Sequence, residues 1–177
     1  MSPTTLLAVQ FTFSLILSAL VAKWYIAPLL DRLPTPAALA PLFLVQALRY
    51  LPTSAFAPGQ VGSQTPMDAM AAIAYGDLAS AVLALAAALF LHYRIAGALW
   101  VAWFVNIATS LDWMYSTYLA ASHGLANYPM GGNWYIINYY VPLIGVIHVL
   151  IFVQLLRGRT RDAAQHQPEL LRSTEGG

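Results

Sequence analysis

Five side chains are out of place in the apolar runs that carry them: Arg49, Asp77, Asn106, Asp112 and His148. In Ala74-Tyr75-Gly76-Asp77-Leu78-Ala79-Ser80 a carboxylate sits in the middle of a segment that otherwise reads as membrane-spanning. An Asp there costs roughly 2.5 to 3.5 kcal/mol, so it needs a partner, a proton or water. Arg49 is the complementary charge. Paired with Asp77 or Asp112 it makes a nearly neutral cluster, and the carboxylate left over becomes a site for a proton or a cation. The chemistry open to this cluster is ion binding, recognition of a hydrophobic or amphiphilic small molecule, or acid/base transfer by Asp77, Asp112 and His148 on a lipid-soluble substrate. Gln46, Thr109 and Tyr115 complete the candidate set. Asn106, Thr109, Ser110 and Trp113 recur at helical spacing and share a stripe, with Asp112 at its edge.

Each of these residues also has a plainer role. An Arg49–Asp77 pair can simply lock two helices together, or Arg49 can extend to an interface with its head in water. Asn106, Thr109 and Ser110 serve as interhelical hydrogen-bonding groups worth about 0.6 kcal/mol each. A lone His148 is more often a hydrogen-bonded core residue than a ligand. Haem held by two histidines needs a second one at the same depth, and His92 lies roughly 12 Å shallower by helical rise. No HxxxH or HExxH pair, phosphate loop or GxSxG elbow occurs, so no metal, cofactor or catalytic residue is assigned.

The elements that position these groups follow from composition. Of 177 residues, 59% are hydrophobic and 8% charged, whereas charged residues make up about a quarter of a soluble domain. This is the balance of a multi-pass integral membrane protein, here of the cell (inner) membrane, whose first partner is the lipid bilayer. The chain has no cysteine, which removes disulfides and thiolate chemistry. Its few basic residues are dispersed and make no stripe for nucleic acid.

The expected fold is an all-α bundle of five transmembrane helices at about 5–26, 36–53, 67–92, 95–121 and 135–156, each near the roughly 20 residues a span requires. Residues 1–156 form one domain and 157–177 a polar, disordered cytoplasmic tail. Pro41 bends the second helix near its start, and Pro142 with Gly145 kinks the fifth. The N-terminus lacks the basic start of a signal peptide, so the first helix is read as retained. Lys23 and Arg32, then Arg94, then Arg157, Arg159 and Arg161 fall on alternate links. The positive-inside rule therefore puts the N-terminus outside and the C-terminus in the cytoplasm. In this topology the polar groups meet in a pocket reachable from the outer face, its mouth ringed by Tyr115, Tyr118, Tyr128, Tyr135, Tyr139, Tyr140, Trp113 and Trp134.

Leu44-Val45-Gln46-Ala47-Leu48-Arg49-Tyr50, Ala74-Tyr75-Gly76-Asp77-Leu78 and Val146-Ile147-His148-Val149-Leu150-Ile151-Phe152 resemble segments of an uncharacterised group of bacterial multi-pass membrane proteins. That resemblance covers helices two to five and implies no activity. A looser architectural likeness is to the four-helix sterol isomerase and sigma-2 receptor family, whose members place carboxylates in a membrane pocket for cationic amphiphiles. The expected function is a ligand-binding membrane module centred on Asp77, Asp112, Arg49, Asn106 and His148. The alternatives are a membrane enzyme, a proton-coupled transporter forming a homodimer through Ala84 and Ala88, and a structural subunit of a membrane complex.

Overall fold

Long apolar runs leave the backbone no partners but its own, and helices satisfy that demand within a single segment. The computed structural model, which describes the backbone of residues 1–174 and the side chains of residues 1–158, is all helical, with no strand among the described residues. Helix α1 spans Pro3–Leu30. Helix α2 spans Thr35–Gln46 and continues as a tighter 3-10 helix over Ala47–Phe56. Helices α3 and α4 span Met67–His92 and Ala98–Ser122. Helix α5 starts at Asn133–Tyr135, passes through Ile136–Tyr140 and proceeds as Val141–Thr174. The tail expected from residue 157 lies, beyond Gly158, outside the residues whose side chains are described.

The first helix does not stop at Ile26 but runs through Pro28 to Leu30; the fifth runs through Pro142 as expected and begins two residues before Tyr135, at Asn133. In each case a π turn precedes the proline: Ala22–Ile26 ahead of Pro28 and Ile136–Tyr140 ahead of Pro142. The Ala27 N–H bonds to the Ala22 carbonyl and the Val141 N–H to the Ile136 carbonyl. The wider turn spreads the carbonyls that a proline ring would otherwise strike. In α2 the chain tightens instead. Its 3-10 stretch covers ten residues, including Pro52, although such runs seldom exceed about four.

Among the described residues three helices are long and apolar enough to cross a membrane: Pro3–Leu30, Met67–His92 and Asn133–Gly158. They point to a membrane protein. Helices α2, α3, α4 and α5 close a ring, with α3 packed on α2 and α4, and α5 packed on the same two. Helix α1 stands outside the ring against α5 and the turn Leu125–Asn127. The core joins Leu39 and Phe43 of α2, Ala84 and Ala88 of α3, Val105 of α4 and Ile151 of α5. Ala84 and Ala88 are 0% and 2% exposed, which corrects their expected place on a dimer face. They are small because neighbouring backbones approach there.

Contacts tie the links together at each end. At one end the Thr4 hydroxyl donates to Asn127 Oδ1 (3.2 Å), the Gly62 N–H to the Pro129 carbonyl (3.1 Å) and the Gly132 N–H to Gln60 Oε1 (3.0 Å). At the other, Arg157 pairs with Asp31, which also accepts from Gln154 Nε2 (2.9 Å). There Gly158 brings α5 close to α2, since a Cβ on it would lie 2.8 Å from Thr35 Oγ1.

Candidate functional site

The 3-10 stretch of α2 carries Arg49 into the ring, between carboxylates from α3 and α4. Its Nε and Nη2 donate to Asp77 Oδ1 at 2.8 and 2.6 Å, Nη2 donates to Asp112 Oδ2 at 2.6 Å, and Nη1 donates to the Thr109 carbonyl at 2.7 Å. Ser80 Oγ adds a bond to Asp112 Oδ2 at 2.8 Å. These are the lengths of charge-assisted hydrogen bonds. Arg49 is 2% exposed, so the alternative in which it reaches an interface is corrected. Gly76 makes room for the arrangement: a Cβ there would fall 2.5 Å from Asp112 Oδ1. Both carboxylates bind one guanidinium, and neither alone is its partner.

A second polar cluster lies deeper. His148 Nδ1 is 2.9 Å from Asn106 Oδ1, 3.0 Å from Ser110 Oγ and 3.1 Å from Gln46 Nε2. Asn106 is oriented by its own donation to the His148 carbonyl at 3.3 Å, and Gln46 Nε2 donates to Asn106 Oδ1 at 3.3 Å. Nδ1 thus meets both an oxygen that only accepts, Asn106 Oδ1, and an amide NH₂ that only donates, Gln46 Nε2, while the hydroxyl of Ser110 can do either. Nε2 has no hydrogen-bond partner among the described residues. Thr109 Oγ1 closes the cluster, lying 2.8 Å from the Val105 carbonyl and 3.2 Å from Gln46 Oε1.

Beside the triad lies a cavity of about 550 Å³, within the range of roughly 300–1,000 Å³ typical of small-molecule sites. Its walls are mostly apolar. Phe11 of α1, Met70 and Ile73 of α3, and Ile137 and Ile144 of α5 contribute, and Arg49 and Asp77 are also exposed to it. Two polar atoms of lining residues, Ser116 Oγ and Asn133 Nδ2, are buried and have no hydrogen-bond partner among the described residues.

The sequence-predicted residues therefore divide into three groups. Arg49, Asp77 and Asp112 come together, the first two facing the cavity. Gln46, Asn106, Thr109 and His148 form the deeper network and do not line it. Tyr115 points outward and is 57% exposed. Of the aromatic ring expected at a mouth, Trp113 and Tyr140 line the cavity, whereas Tyr118, Tyr135 and Tyr139 lie on the outer surface. Trp134 Nε1 donates to Gln10 Oε1 at 3.0 Å and fastens α1 to α5. Sequence reasoning missed Thr4, Phe11, Thr12, Ser116 and Asn133. Only Ser116 carried a signal, standing one helical turn beyond Asp112 on the same face.

The pattern described as Domain of unknown function (DUF8737) matches residues 6–156, from the first helix to the end of the last apolar run. The chain belongs to this family. No curated protein and no solved structure matches it. In this DUF8737 chain the matched region contains every residue of the triad and of the deeper network.

Proposed function

We propose that this DUF8737 chain is a small multi-pass membrane protein that holds a hydrophobic or amphiphilic small molecule in the cavity beside Arg49 and Asp77. The observation that carries the reading is the composition of that cavity: about 550 Å³ of mostly apolar wall with a charged pair at one side. Apolar walls with a few convergent polar groups are the mark of a small-molecule site.

Five spans fit the packing better than three. Helix α4 is not among the three most apolar helices because it carries Asn106, Thr109, Ser110 and Asp112, polar residues that turn inward. Its outer face, Trp100, Phe104, Ile107, Leu111, Met114 and Tyr118, is exposed and apolar along its length. An apolar exterior around a polar interior is the arrangement a bilayer favours. Helix α2 supplies about 18 Å of α-helical rise, and its 3-10 stretch adds roughly 20 Å, enough for a core of about 30 Å. The basic links Lys23 to Arg32 and Tyr93-Arg94 then face the cytoplasm, and the cavity lies in the outer half, at the end holding the N-terminus.

The test is chemical identification of what the protein retains. Purified in mild detergent and extracted, the wild-type chain should yield one amphiphile at near one per chain. Ala120→Phe, which fills the cavity from α4, should lose it while melting at a similar temperature. Equal lipid profiles from the two proteins would refute the reading.

A further inference from the structure

On the premise that the cavity binds an amphiphile, as just proposed, its charged wall fixes the sign of the head group. Arg49 supplies one positive charge and Asp77 with Asp112 two negative ones, joined by hydrogen bonds of 2.6 and 2.8 Å. The ionised triad therefore carries one negative charge in excess. Among the described residues Arg49 is the only basic group paired with either carboxylate, and a buried charge left without a counter-charge is costly.

The excess reaches the cavity at Asp77. Both bonds from Arg49 land on its Oδ1, which leaves Oδ2 without a hydrogen-bond partner among the described residues. Asp77 is 8% exposed and lines the cavity. Oδ2 is not sealed in as Ser116 Oγ and Asn133 Nδ2 are, and the Asp77 side chain keeps 12% of its surface. Arg49, by contrast, spends four of its five N–H groups on protein acceptors, so it is poorly placed to hold an anionic head.

The surroundings favour an organic cation over a metal ion. No three His, Cys, Asp or Glu side chains come together among the described residues, so a metal would lack ligands. The rings of Phe11, Trp113 and Tyr140 line the same space as Asp77, and an aromatic face attracts an ammonium group.

We infer that Asp77 Oδ2 is the subsite for a protonated amine, and that the ligand is a cationic amphiphile. Its ammonium donates to that oxygen and balances the triad, while its apolar body lies along Ile137 and Ile144.

The experiment uses the full chain in nanodiscs of zwitterionic lipid and three probes of matched chain length: dodecylammonium, 1-dodecanol and laurate. The pH is mildly alkaline, where laurate is ionised and the amine still protonated, and each affinity is corrected for partitioning into empty discs. Dodecylammonium should bind about tenfold more tightly than 1-dodecanol, the worth of one charge-assisted hydrogen bond, with laurate weakest. Asp77→Asn keeps an acceptor for Arg49 and makes the cluster neutral, so it should bring dodecylammonium down to the level of 1-dodecanol. Laurate binding as tightly as the amine would overturn the subsite. So would 1-dodecanol doing so, the result expected if a proton already neutralises Asp77, or an amine preference that survives in a folded Asp77→Asn chain. If that variant does not fold, the wild-type ranking decides alone. Three probes binding equally would leave the amphiphile reading standing and remove this one, whereas no binding by any probe would remove both.

Discussion

Arg49 is 2% exposed and donates to two carboxylates and a backbone carbonyl, so deleting it differs from neutralising the cluster. Arg49→Leu leaves Asp77 and Asp112 facing each other without a cation, and the expected loss is about 3–5 kcal/mol, as for other broken buried pairs. Adding Asp77→Asn and Asp112→Asn to the same chain removes both stranded charges and should restore most of that loss. Unfolding in mixed micelles measures the wild type and both variants. A triple variant no more stable than Arg49→Leu alone would show that the arginine acts by packing. The residues of this cluster were legible in the sequence because charge in an apolar run has few explanations, and depth along the helices brings Arg49 near both carboxylates. Their joint arrangement was not legible, since it depends on Gly76 admitting Asp112 and on a 3-10 stretch that changes the direction in which Arg49 points. Asn133 was hidden among the polar and glycine residues of a link, where an amide signals nothing.

Among the helices, α4 and α5 meet at Trp113 and Gly145. A Cβ on Gly145 would lie 3.1 Å from the Trp113 ring, and that ring forms part of the cavity wall. Gly145→Val should push the indole into the cavity at an overpacking cost of about 1–3 kcal/mol. The chain would then retain less amphiphile through purification while still melting cooperatively. Full retention would mean that Trp113 moves elsewhere. From the sequence, Gly145 reads as half of a kink with Pro142; in the structure the π turn lies ahead of the proline and the glycine is a packing contact against Trp113. Prolines mislead in the same way at Pro28 and Pro52. A ring without an N–H ends an ideal α-helix, but a π turn before it or a 3-10 stretch around it lets the rod continue. Helix existence was therefore readable from hydropathy, and helix ends were not.

For the bundle as a whole, the proposed orientation makes opposite predictions for the two sets of links. In a chain with no native cysteine, a cysteine at Gly59 should react with a membrane-impermeant maleimide on intact cells. One at Tyr93 should react only after permeabilisation. Reversed labelling would invert the molecule and put the cavity in the cytoplasmic half. The alternation of basic links is visible without coordinates. The cavity is not, because α1 supplies one wall with ordinary residues such as Phe11 and Thr12, and nothing in their spacing shows which neighbour they face.

Helix α1 rests on α5 and the turn preceding it, while the other three helices complete their mutual contacts without it. At the ribosome this order matters. Synthesis proceeds at about 5–20 residues per second, so the first segment emerges seconds before the last one exists. On the proposed multi-pass reading, α1 cannot take its seat on α5 until that helix has emerged, so the contacts that join the two ends of the chain are ones the growing polypeptide forms late.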